Sequence, residues 1–316
     1  MKTIRISVFL FPWEIDLLQD SVDKLKSAST YIDKNKFNII FDVTMNVSSS
    51  AIDWSQSQLP KQFFIDSFNS ICNKLSYFMN VEYDIDDSAS IIGCVDKRKQ
   101  SISKSTDLDY VIWLDLDVHF PVHVLRVMCD ALDIIQDEYF IVTPETVKMW
   151  DTSWDLITNY RYKDNHPKQR KFAGNEIFNA DQHNFIDYIS GSISIQRLQG
   201  FKFSGGWFNM FSAKLLKLIN IPDSFGPYGL EDTFVMDICI RCRQLDYPIY
   251  QYVIRNLVVS EYQFSGHGFN FNFDSLVKNI LPSRDELKRL AVENFKLEQQ
   301  KTLDKIHKVF VNQINS

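Results

Sequence analysis

Asp115, Leu116 and Asp117 follow directly on the apolar run 110–114 (YVIWL). Residues i and i+2 of an extended chain point the same way, so two carboxylates at a strand's carboxyl end can face one hard divalent cation. A cation held there could neutralise a diphosphate leaving group. Two solvated aspartates would read the same, and Asp107-Leu108-Asp109 repeats the tripeptide a few residues earlier. That copy precedes the apolar run and would lie at the wrong end of a strand, so position rather than the tripeptide carries the signal.

Three other segments could do chemistry. Gly229-Leu230-Glu231-Asp232 opens a helical pattern. Acids in a first turn suit the helix dipole, and a carboxylate there could equally accept a proton from a hydroxyl. Spacing does not separate the two readings. Ser204-Gly205-Gly206-Trp207 offers backbone without a β-carbon, allowing close approach of a sugar or phosphate, then a flat ring for stacking; a plain tight turn is the alternative. Gly266-His267-Gly268 sets an imidazole in a loop from which it could reach a metal, although a lone histidine is more often structural or solvated. Arg98 and Lys99 could contact phosphate or base, or form part of a solvated face.

The elements that must position these groups are legible in the hydrophobic periods. Residues 4–11 read as a strand, followed by Ile15, Leu18, Val22 and Leu25 at helical spacing. Residues 37–47 alternate as a strand, and Phe64, Phe68, Ile71 and Leu75 return to helical spacing. A polar, acidic stretch at 84–87 leads to a short predicted strand at 91–95 and a buried one at 110–114. Pro121 is expected to open a helix through Val124, Met128, Ala131 and Ile135, before a strand at 139–142. Periodicity is lost over 150–188; a helix at 231–245 and a strand at 249–259 follow. Ser283 and Glu286 form a capping box before a long pattern through Leu287, Leu290, Leu303, Ile306 and Phe310. Alternating strands and helices predict an α/β sheet with its ligand site at the strands' carboxyl ends. Neither GxGxxG nor GxxxxGK[ST] occurs, which argues against dinucleotide and P-loop sites.

Composition bounds the function. The 316 residues are 45% apolar and 23% charged, which excludes a disordered or fibrous chain, and 10 glycines and 9 prolines leave no linker between two independent domains. Lys+Arg 34 against Asp+Glu 40 gives a net charge of −6 and removes the overall basic field of a general nucleic-acid binder. Five scattered cysteines suit a reducing compartment. Cys239 and Cys242 lie within a helical pattern with no second pair, so small buried groups explain them better than zinc. The opening run contains Pro12 and leads into Glu14 and Asp16, unlike a cleavable leader, and no apolar stretch approaches a membrane span. A cytoplasmic protein is expected.

Taken in order, these features resemble the GT-A fold glycosyltransferases, most closely the inverting family 2 type. The opening ISVFLFPWEIDLLQDSVDKL looks like that family's first strand, nucleotide loop and first helix, and GLEDTFVMDICIRCRQLDYPIYQYV like its acidic helix and returning strand. The resemblance implies a Rossmann-like, mixed, mostly parallel sheet flanked by helices: a single catalytic domain over 1–280 with a C-terminal amphipathic helical extension over 281–316. It implies a nucleotide-diphosphate-sugar donor held by Pro12, Trp13, Glu14, Arg98, Asp115, Gly205, Gly206 and Trp207, and Mn²⁺ or Mg²⁺ on Asp115, Asp117 and His267. Asp232 is then the general base, with Glu231 orienting the acceptor hydroxyl.

The chain departs from the family at Asp42, which is followed by Val-Thr-Met-Asn instead of a second acid, glycine and serine, and in lacking the QxxRW motif of processive synthases. Transfer of single sugars is expected. The stretch 161–171 carries five basic residues and one acid, with Trp154, Tyr160, Tyr162 and Phe172 interleaved. A glycan or glycolipid acceptor is the first expectation, a hydroxylated DNA base the second, and a non-catalytic sugar-binding relative the alternative of another class. The C-terminal helix is expected to pack on the domain or to join two copies of the chain.

Overall fold

The computed structural model describes residues 1–88, 93–146, 157, 192–206, 208–226, 230–261 and 284–314. Trp207, Gly229, His267 and the basic stretch 161–171 lie outside the described residues.

The chain alternates β1 (Lys2–Leu10), α1 (Ile15–Ser29), β2 (Phe37–Asn46), α2 (Lys61–Leu75), β3 (Asn80–Asp86), α3 (Cys94–Lys104), β4 (Tyr110–Trp113), β5 (Val118–His119), α4 (Val124–Ile134) and β6 (Tyr139–Thr146). It continues through β7 (Ser194–Arg197), β8 (Asn209–Ser212), α5 (Ala213–Ile219), α6 (Glu231–Gln244), β9 (Ile249–Glu261) and α7 (Arg284–Ile314). The strands form one sheet in the order β3-β2-β1-β4-β8-β6-β9-β5, with β7 also on β9. β1, β2, β3, β4, β6 and β9 run one way, and β5, β7 and β8 the other. The sheet is thus mixed and mostly parallel, with helices on both faces.

Strand alternation decides what each face buries. Ile112 and Met210 join the core under α1, α2 and α4. Val111, Trp113 and Phe211 join the core under α5, α6 and α7. On β1 and β2, however, the side chains facing α3 are polar. Asp42, almost wholly buried, accepts from Lys97 Nζ and from Ser101 Oγ at 2.9 Å, and pairs with Arg5 at 3.2 Å and Lys104 at 3.2 Å. Burial opposes the Asp42 charge, but Lys97, Ser101 and Lys104 outweigh it and hold the carboxyl below its usual range. Asp42 therefore fixes α3 to the sheet, and its oxygens are occupied by the protein's own cations.

The spacing predicts a strand at 91–95; residues 91 and 92 lie outside the described residues, and the chain is helical from Cys94 onward. Asp96 explains the difference, because its carboxylate accepts the Gly93 N–H at 3.0 Å and so closes the first turn of the helix. The strand of that unit lies earlier, at β3, where Val81, Tyr83 and Ile85 alternate with exposed acids because β3 is the sheet edge. Pro121 sits in a turn before α4 rather than at its first position, and its carbonyl accepts the Val124 N–H at 3.0 Å.

Candidate functional site

β4 ends at Trp113, and a turn closed by the Val118 N–H on the Asp115 carbonyl (3.2 Å) carries Asp115 and Asp117 past the sheet edge. α3 crosses this edge. Lys97 points back to Asp42, so its neighbour Arg98 points forward, with its guanidinium 4.7 Å from the centre of the Trp113 ring. Arg98 Nη2 donates to Asp115 Oδ1 at 2.7 Å, and Nη1 donates to Glu231 Oε1 at the start of α6. Arg98 and Glu231 are buried, whereas the Asp115 side chain is 42% exposed.

One guanidinium faces two carboxylates, with Asp232 close enough to act on both. Burial pushes the Glu231 carboxyl up to about 7; Arg98 opposes this, and Asp232 and Asp115 add to it. The Asp115 carboxyl is also raised, by burial first and by Asp232, against Arg98. The Arg98 charge is favoured, because Asp115 and Glu231 together outweigh its burial. The cluster therefore retains a proton near neutrality. Glu231 binds that proton more tightly folded than unfolded, so its contribution to stability is fully present below about pH 4.5 and is lost as pH rises through about 7. Unfolding midpoints from about pH 5 to about pH 8 should fall less in Glu231→Gln, which has no proton to lose, than in the unaltered protein. Parallel profiles would show that another group carries the slope.

Gly206 lies against this pair. A β-carbon there would collide with Arg98 Nη2 and the Asp115 carboxylate, so any larger residue would displace these two side chains from where they stand. Gly205 is buried beside it, and its carbonyl accepts from Asn209 Nδ2 at the start of β8. Asp232, half-buried, accepts from Thr233 N–H at 2.5 Å and Thr233 Oγ1 at 3.3 Å, both on Oδ1. Glu231 thus faces inward to Arg98, and Asp232 is the more accessible acid of the two.

The sequence-predicted residues divide accordingly. Arg98, Asp115, Gly206, Glu231 and Asp232 come together in one cluster. Asp117, half-buried, lies on the same turn as Asp115. Pro12, Trp13 and Glu14 form a 3-10 turn after β1, at the same sheet edge because Ser7 pairs with Trp113. There Trp13 stacks on Phe11 (4.6 Å, 15°), and Glu14 accepts the Phe11 N–H at 2.7 Å, so the Glu14 carboxylate caps its own turn. Trp207 and His267 lie outside the described residues. Sequence reasoning missed Cys94, whose Sγ lies 3.9 Å from Glu231 Oε1, and the ties of Asp42. The signal for the latter was the density of lysine and arginine on α3 opposite acids on β2 and β3.

Among the described residues no three His, Cys, Asp or Glu side chains converge as a metal cage. Asp115 and Asp117 are nevertheless hard oxygen donors of the kind that suit Mg²⁺ or Mn²⁺, and Mg²⁺ commonly rests on one or two carboxylates, waters and the phosphates of a substrate. Arg98 takes Asp115 Oδ1, so Asp115 Oδ2 and the Asp117 carboxylate are the oxygens such an ion would use. No helix among the described residues is long and apolar enough to cross a membrane.

No family model matches the chain, and no curated protein matches it. Among solved structures, S. aureus TarS is similar over 83% of this chain and 37% of its own length, at 14% identity and a TM-score of 0.47. S. aureus TarS 1–349 in complex with UDP-GlcNAc is similar over 97% of this chain and 71% of its own, at 12% identity and a TM-score of 0.49. GalNAc-T7 with UDP, GalNAc and Mn²⁺ covers 86% and 44%, at 10% identity and a TM-score of 0.46.

Proposed function

We propose that the chain is a GT-A type glycosyltransferase that moves one hexosyl or pentosyl unit from a nucleotide-diphosphate sugar to a hydroxyl of a glycan or glycolipid, inverting the anomeric centre. The observation that carries this reading is the convergence of Asp115 and Gly206 on Arg98, with Glu231 and Asp232 opening the helix on its other side. A strand-end acid and a bare backbone suit a sugar-diphosphate, and a half-exposed acid beside them suits a hydroxyl acceptor.

The roles follow from placement. Pro12 and Trp13 border the nucleotide at the end of β1, and Gly205 and Gly206 let Arg98 and Asp115 lie close against the backbone beside the sugar-phosphate. Arg98 presents a fixed positive charge whose position Glu231 and Trp113 hold. Asp115, Asp117 and His267 would hold Mn²⁺ or Mg²⁺. When bound, that ion supplies charge to the departing diphosphate. Asp232 takes the proton from the acceptor hydroxyl as its oxygen attacks the sugar's anomeric carbon and the bond to the diphosphate breaks.

The test is a panel of nucleotide-sugars read by product mass and by nucleotide release, with and without EDTA. Turnover of one donor, lost on chelation and restored by Mn²⁺ or Mg²⁺, is expected. Asp117→Ala should lower turnover by roughly 10²-fold if the ion sits on that carboxylate. Full activity after exhaustive chelation, or in Asp117→Ala, would remove the metal assignment.

A further inference from the structure

The last helix reaches the proposed base through three aromatic rings. Asp223–Phe225 form a 3-10 turn that ends at Gly226, whose φ of +66° is a left-handed conformation that glycine adopts freely. The Phe225 ring is buried and meets Phe234, in the first turn of α6, edge-on at 5.0 Å and 86°. Phe295 of α7 stacks on Phe225 at 6.0 Å and 9°, and meets Phe234 edge-on at 5.5 Å and 83°. The segment carrying Glu231 and Asp232 therefore runs between two rings that both rest on a third. Lys99 of α3 pairs with Asp223 on the same turn, so α3 and α7 hold it from two sides.

We propose that Phe295 is a positioning residue: it clamps the 223–225 turn to the start of α6 and so sets where the Asp232 and Glu231 carboxylates stand relative to Arg98. The catalytic consequence rests on the reading of Asp232 as general base; the clamp itself does not. Aromatic contacts of this kind act beyond their buried area because ring geometry is specific, and small misplacements of a catalytic group are costly. α7 has other anchors further along. Phe310 stacks on Tyr247 (5.0 Å, 25°) and meets Tyr139 edge-on (5.4 Å, 79°), Ile306 is buried, and Lys305 Nζ donates to the Leu218 carbonyl at 3.0 Å. Removing the Phe295 ring should therefore loosen the start of α6 while leaving the helix docked.

Cys94 supplies a native probe, since its thiol touches Glu231, while Cys72 and Cys129 are buried away from α6 and Cys239 and Cys242 are buried further along it. Its thiol is raised well above its ordinary range, by burial first and by Glu231, so it should react slowly in the intact protein. In the full chain, Phe295→Ala should quicken Cys94 alkylation by iodoacetamide about tenfold, read by peptide mapping, with Cys72 and Cys129 unchanged. Transfer should lose about tenfold in kcat with the donor KM held, and Phe295→Tyr, which keeps the ring, should restore most of both readouts while Phe295→Leu restores less. Unchanged Cys94 reactivity with kcat within about twofold would overturn the clamp, as would equal acceleration of all five thiols, which marks general loosening. Selective Cys94 exposure in a chain that turns over no donor would uphold the clamp and sink the glycosyltransferase reading.

Discussion

Arg98→Met is expected to lower transfer by roughly 10²-fold or more and to destabilise the protein at neutral pH by about 3–5 kcal/mol. The stability loss follows from the partners left behind. Methionine fills the space over Trp113 but leaves the Glu231 and Asp115 carboxylates facing one another without a guanidinium. Both are raised even with Arg98 present, so without it both should hold their protons to higher pH. That gives the effect a sign. Protonated carboxyls need no counter-charge, so the deficit should shrink toward about pH 5 and widen above about pH 7. Unfolding midpoints of the two proteins across that range are the measurement. A deficit independent of pH would mean that Arg98 acts by packing alone. Arg98→Lys tests geometry separately, because an ammonium lacks the planar fork that reaches two carboxylates from one position. It should recover part of the stability and little of the transfer.

What the sequence disclosed depended on how local each signal was. The strand carrying Trp113 and the Asp115–Asp117 step beyond it are local: an apolar run ends and acids follow. The buried faces of α1, α2 and α4 are legible for the same reason, since each repeats its apolar residues at helical spacing. β3 was obscured because an edge strand keeps Glu82 and Asp84 in solvent and so reads as a polar stretch. β8 is only four residues long, antiparallel between β4 and β6, and its short apolar run does not distinguish strand from helix. The Arg98 pairs join positions 98, 115 and 231, and no spacing rule relates residues so far apart. Only the crossing of α3 over the end of β4 brings them together. Glu231 shows the same limit in another form. Beside Asp232 it reads as a residue that orients the acceptor hydroxyl, but a helix turns about 100° per residue, so Glu231 faces Arg98 and Asp232 the open edge.

Asp232→Asn should leave nucleotide binding and fold intact while transfer falls by roughly 10²-fold or more. Asparagine keeps the shape and the acceptor oxygen for the Thr233 N–H, so the first turn of α6 should hold. It cannot take a proton from the acceptor hydroxyl. Calorimetry with a nucleoside diphosphate and product mass from a transfer assay separate binding from chemistry in the same preparation. Glu231→Gln should differ in kind. The substitution replaces a titrating carboxyl partner of the buried Arg98, so stability and donor affinity should change along with turnover. A base on the acceptor side also implies a single in-line displacement, and so a product of inverted anomeric configuration, read from its NMR coupling. Near-normal turnover in Asp232→Asn, or a retained configuration, would take Asp232 out of the base role. The cluster built on Arg98 would then remain as a donor site, and the proton acceptor would have to be another group at the same edge.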